Sequence, residues 1–153
     1  MIGKVAGMRC LGVCALVLVL ATACGAGPSL GETTSVLRQD GAVLGRIELA
    51  RKSTALTTDG SGCQAGTKRS LYTMTGDLPQ GIDPAQASAA VTSALASEFH
   101  TMGYQEAEGP HAQFGVNVSV LEKRSLGIVF TVTLRTRQPN VEISGKTQCL
   151  PES

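Results

Sequence analysis

Between Phe114 and Leu134 the apolar side chains fall at every second position. Phe114, Val116, Val118 and Val120 alternate with small or polar residues, and Ile128, Phe130, Val132 and Leu134 alternate with Val129, Thr131, Thr133 and Arg135. A period of two marks a strand with one buried face. Two such runs joined by the short charged link LEKRSLG form an antiparallel hairpin. Arg137 to Asn140, RQPN, makes a second turn, and a third strand begins at Val141. In it Val141, Ile143, Gly145, Thr147 and Cys149 share one face, so the cysteine points with the apolar residues. An earlier strand reads from Thr67 to Thr75, TKRSLYTMT, with Gly76 to Gly81 turning away from it.

The period changes to 3.6 from Asp83 to Met102. Asp83 suits an N-cap, Pro84 the first helical position, and Gln86 the place of a capping-box partner. Val91, Leu95 and Met102, with Ala87, Ala94 and Phe99 beside them, make an apolar stripe, and Gly103 supplies a left-handed C-terminal cap. Ser35 to Lys52 fits two descriptions. Leu37, Leu44, Ile47 and Arg51 lie at helical spacing against the penalty of Gly41 and Gly45, whereas Asp40-Gly41 between short apolar runs is also a hairpin signal. The helix is preferred. The order helix, strands, helix, strands predicts an α+β fold, an antiparallel sheet with helices packed on one face.

The N-terminal end is of another kind. Lys4 and Arg9 precede the charge-free run Leu11 to Ala23, the outline of a secretion signal. That run is shorter than the roughly 20 residues that cross a bilayer as a helix. The five residues Leu20-Ala21-Thr22-Ala23-Cys24 resemble the lipobox of bacterial lipoproteins, with Ala21 where leucine is commonest. The resemblance implies lipid attachment at Cys24, diacylglyceryl on the thiol and an N-acyl chain on the new N-terminus. Two acyl chains hold a protein durably where one is marginal. The expected organisation is therefore a signal peptide at 1–23, a flexible Gly/Pro/Ser tether at 24–33, and one envelope domain at 34–153. Cys10 and Cys14 leave with the signal, so their spacing is no metal or redox site.

Processing removes Lys4 and Arg9 from the 13 basic residues, leaving 11 against 12 acidic and a formal charge of −1. Nothing in that balance suits nucleic acid. Cys63 and Cys149 remain, in a compartment where disulfides persist. They are expected to form a buried structural bridge, the alternative being two free thiols acting as a redox pair; without C-x-x-C the bridge is preferred. The mature domain further resembles the LppA-like small actinobacterial lipoproteins. It shares an N-terminal helix, a cysteine ahead of the first hairpin, a helix ending near Gly103-Tyr104, and a last strand closing in Thr147 to Pro151. That likeness implies the fold and a location on the extracytoplasmic face of the cell membrane.

Catalytic motifs are sparse. His100 occupies the last turn of its helix, and His111 lies in the loop GPHAQ; neither has Cys, Asp or Glu at metal-ligand spacing, so neither a metal nor a cofactor is expected. Ser144-Gly145-Lys146-Thr147 ends like a phosphate loop but has Asn140 in place of the first glycine, and GSGCQAG misses the dinucleotide fingerprint. Asn117-Val118-Ser119 is a chance glycosylation sequon. Glu106 and Glu108 read as a solvated edge, and Lys68-Arg69 and Lys123-Arg124 as short surface pairs. The expected function is that of a non-enzymatic, lipid-anchored envelope protein binding an envelope partner or small ligand. The alternatives are an envelope hydrolase with a site invisible in linear order, and a structural or stress-related lipoprotein.

Overall fold

The first helix starts from a reciprocal cap. Ser29 Oγ accepts from the backbone N–H of Glu32, while the Glu32 carboxylate accepts from the Ser29 N–H at 2.9 Å and from its hydroxyl at 3.1 Å. These bonds hold the exposed Glu32 carboxyl below its usual pKa. In the computed structural model, which describes residues 27–107 and 117–152, this helix, α1, runs Leu30–Leu44. It takes in residues 30–33, which composition assigns to the tether, because Ser29-Leu30-Gly31-Glu32 is a capping box. The helical reading of Ser35 to Lys52 holds as far as Leu44; Asp40-Gly41 lies inside the helix, and a strand, β1 (Ala50–Asp59), follows.

The remaining elements are β2 (Thr67–Asp77), α2 (Pro84–Thr101), β3 (Gln105–Glu106), β4 (Asn117–Lys123), β5 (Ile128–Leu134), β6 (Val141–Lys146) and β7 (Leu150–Pro151). All pairings are antiparallel, in the order β1-β2-β6-β5-β4-β3, with β7 beside the start of β2. The expected α+β fold with helices on one face of an antiparallel sheet is the one observed. The hairpin between β4 and β5 closes through a single 3-10 turn, Arg124–Leu126, and Gly127 in the left-handed region. The last strand differs from expectation. It breaks after Lys146, and β7 resumes two residues long.

Register explains the core. Across the sheet Leu56, Tyr72, Gly145, Phe130 and Leu121 stand in one row, and Thr54, Met74, Ile143, Val132 and Ser119 in the next. Both rows face the helices. Gly145 occupies the crowded centre, where a Cβ would lie 2.4 Å from the Phe130 ring and 2.9 Å from Leu37 of α1. Leu37 and Leu44 of α1 and Val91, Leu95 and Phe99 of α2 close over it. At about 1.5–3 kcal/mol for each fully buried large apolar side chain, this layer supplies the main stabilisation. Ala94, placed beside the stripe by periodicity, is exposed.

The end of α2 sets the position of Tyr104. The Tyr104 N–H donates to the Phe99 carbonyl at 2.9 Å, and the Gly103 N–H to that of His100 at 3.0 Å, with Gly103 at φ 81°. This is a Schellman closure, and its hydrophobic contact is Phe99 against Tyr104, ring centroids 5.4 Å apart. Gly103 thus plays its expected part, and the chain is turned so that Tyr104 enters the core. At the other end, Asp83 Oδ1 accepts from the N–H groups of Ala85 and Gln86; Gln86 takes part through its backbone.

Candidate functional site

Three elements bring polar side chains together inside the domain. Asp40, on the buried face of α1, accepts the Tyr104 hydroxyl on Oδ2 at 2.8 Å and the Lys123 ammonium on the same oxygen at 2.8 Å. Lys123 Nζ also stands 4.6 Å from the centre of the Tyr104 ring. The side chains of Lys123 and Asp40 are only 15% and 11% exposed. Lys123 is therefore no member of a surface pair. In β4 it follows Ser119 and Leu121 on the helix-facing side, and only Arg124 turns outward. Burial, then the hydrogen bond to and the charge of Asp40, push the Tyr104 phenol far above its usual range. Tyr104 stays a neutral donor. Such a group ties α1, the end of α2 and β4 to one another, and each of its members is engaged in that contact.

Beside it, between α2 and strands β3 to β5, lies a cleft of about 280 Å³. Leu95, Phe99, Val132 and Leu134 supply an apolar floor; Thr92, His100, Glu106 and Ser119 stand among its polar lining residues. Helical spacing places Thr92, Leu95, Phe99 and the exposed His100 along the flank of α2, while the alternation of β4 and β5 turns Ser119, Leu121, Val132 and Leu134 to the same side. Ser119, His100 and Glu106 are residue types that a hydrolase employs. Among the described residues no hydrogen bond joins any two of them.

The positions marked by sequence are scattered. Cys63 and Cys149 are bridged, with Cα atoms 5.6 Å apart, between the turn after β1 and the break before β7. The bridge is half-buried, not buried as its strand face suggested, because β6 has ended before Cys149 and the chain there follows the rim. Lys68 is exposed and pairs with Glu152 at 2.9 Å, and Arg69 donates to the Ser61 carbonyl at 2.7 Å. The phosphate-loop lookalike is β6 and its exit, and GSGCQAG is a turn with Gly62 and Gly66 at positive φ. Glu106 sits exposed in β3. Cys24, Glu108 and His111 lie outside the described residues. Among the described residues no three His, Cys, Asp or Glu side chains gather as a metal ion requires, and no helix is long and apolar enough to cross a membrane.

Sequence reasoning misses Asp40, Tyr104, Ser119 and the inward role of Lys123. The face of β4 expected to be buried, that of Val118 and Val120, is the one turned away from the helices, and Ser119, Leu121 and Lys123 face them instead; Phe114 and Val116 of the same expected face lie outside the described residues. The alternation is present in the chain, and its inward side is masked by the polarity of the residues that carry it. Comparison with protein-family models, curated proteins and solved structures found no match to this chain.

Proposed function

We propose that this chain is a non-enzymatic, lipid-anchored protein of the bacterial cell envelope, held by acyl chains on Cys24, whose domain carries a small amphiphile in the cleft between α2 and β4–β5. The observation that carries the reading is the cleft itself: an apolar floor with hydrogen-bonding groups along its lining, the form a small-molecule site takes. Its volume of about 280 Å³ is just under the roughly 300–1,000 Å³ of drug-sized pockets, so the ligand is short. The lipobox-like segment before Cys24 supports the anchor, and α1 beginning at Leu30 leaves only a brief span between lipid and domain.

Two measurements test this. The intact mass of the protein from native membranes should begin at Cys24 and include acyl groups; an unacylated chain would overturn the anchor. For the cleft, a Cys24→Ser form exported and purified without detergent is titrated calorimetrically with 1-octanol. One saturable site, lost in Ser119→Trp, is expected, since that exposed position lets an indole fill the cleft without disturbing the core. Absence of saturable binding, or binding indifferent to Ser119→Trp, would refute the reading. Ester hydrolysis abolished by both Ser119→Ala and His100→Ala would establish the hydrolase instead.

A further inference from the structure

At the edge of the sheet remote from that cleft, β1 is paired, among the described residues, on one side only, by β2. Its residues from Ser53 to Thr58, STALTT, contain neither charge nor proline, two of the devices that normally blunt an open edge. Between this strand and α1 runs a groove of about 540 Å³. Leu56 and Tyr72 line its floor, and Arg38, Arg46 and Lys52 its walls. Among the described residues no carboxylate pairs with any of these three cations. Lys52 Nζ donates to the carbonyls of Gly45 and Ile47 at 2.6 and 2.8 Å, which fixes a positive charge at one end. The acids on β1, at the end of β2 and after α1 are otherwise engaged or outside the lining: Asp77 pairs with Arg51, Asp59 accepts from Ser61, and Glu48 does not line the groove.

The placement of these charges is informative. Arg38 stands on α1, whereas Arg46 stands in the turn just past its C-cap Gly45, so the cations come from the helix and from the turn that ends it. In an extended chain alternate residues face the same way. In β1 the side chains of Thr54, Leu56 and Thr58 stand in register with Met74, Tyr72 and Ser70, on the helix side. A strand added beyond β1 would likewise turn alternate side chains toward the arginines.

We infer that the β1 edge and the flank of α1 together form a docking site for an acidic, extended segment of a partner protein, added to the sheet as one more strand. Backbone pairing along β1 holds the segment, and carboxylates at alternate positions meet Arg38 and Arg46 in charge-assisted hydrogen bonds. A second copy of this chain is the poorer occupant. Pairing two β1 edges about a two-fold axis brings both sets of Arg38, Arg46 and Lys52 to the same seam, where like charges repel.

The test uses the full chain purified in detergent and a fluorescein-labelled peptide of four Thr-Glu repeats, read by fluorescence anisotropy. The Thr-Glu peptide should bind, its Thr-Lys counterpart should not, and Arg38→Glu with Arg46→Glu should weaken binding at least tenfold. Both arginines are exposed, so the fold survives the change. N-methylation of alternate peptide nitrogens should abolish binding in one phase and be tolerated in the other, since only every second residue of an added strand bonds to the edge. Equal binding of the Thr-Lys peptide, indifference to the charge reversals, or tolerance of both methylated phases would each overturn the inference. So would a dimer, seen by light scattering, that excludes the peptide, or displacement of the peptide from a Cys24→Ser form by phosphatidylglycerol vesicles but not by phosphatidylcholine vesicles.

Discussion

Replacing Lys123 with methionine leaves the Asp40 carboxylate, 11% exposed, with the Tyr104 hydroxyl as its remaining donor. Breaking one side of a buried ion pair costs about 3–5 kcal/mol. Both side chains keep some contact with water, so about 2–3 kcal/mol is the expected loss here, including the cation–π contact with Tyr104. With an unfolding entropy of about 2.1 cal/mol/K per residue over roughly 120 residues, that is a fall in Tm of about 8–12 °C. Asp40→Asn in the same chain removes the stranded charge and keeps an acceptor for Tyr104. The double variant should therefore lie only about 1 kcal/mol below the parent, less than the sum of the two single changes. Urea and thermal unfolding followed by circular dichroism give all four corners of the cycle. A loss below about 1 kcal/mol for Lys123→Met, or a double variant no better than additive, would show that solvent screens the pair and would refute its placement in the core.

Gly41→Ala removes a residue that costs a helix about 1 kcal/mol, yet it should destabilise the protein by about 1–3 kcal/mol. A Cβ there would stand 2.5 Å from the Tyr72 ring, whose hydroxyl donates to the Gly41 carbonyl at 2.9 Å; a rise in the urea midpoint would contradict the contact. Cys63→Ala with Cys149→Ala should lower stability by at most about 4–5 kcal/mol, the chain-entropy value for a bridge spanning 86 residues, read as a lower Tm in calorimetry; an unchanged Tm would refute it. Burial raises the pKa of Tyr72 as well as that of Tyr104. The unfolded phenols ionise near pH 10 while the folded ones resist. Stability from this source is thus fully present below about pH 10 and declines as pH rises beyond it. A pH series of melts should be level from pH 7 to 9 and fall above about 10, with a shallower fall in Tyr104→Phe; an equally steep fall in that variant would remove Tyr104 as the cause.

Local signals are legible where a single element satisfies them by itself. The cap at Asp83, the stripe Val91-Leu95-Phe99 and the left-handed Gly103 are decided within a few residues, and α2 is where they put it. The alternation of Ile128 to Leu134 survives intact in β5 because both its neighbours are strands and one face lies under the helices. β1 is illegible for the opposite reason. It is an edge strand with most residues exposed, so selection for burial writes almost no period into ARKSTALTTD. The Ser29 capping box is written in the chain but sits in a Gly/Pro-rich stretch whose composition reads as linker.

The type of α2 and β5, the caps at Asp83 and Gly103 and the pairing of Cys63 with Cys149 follow from the sequence alone, because each rests on neighbouring residues or on an inventory with one sensible solution. The order of strands does not, since β2 lies against β6 through contacts such as Met74 with Ile143 that no local pattern specifies. Nor does the cleft, the basic groove beside β1, or the burial of Lys123. A lysine is soluble by its own chemistry, and only the arrival of Asp40 and Tyr104 from distant parts of the chain makes its place inside the domain favourable.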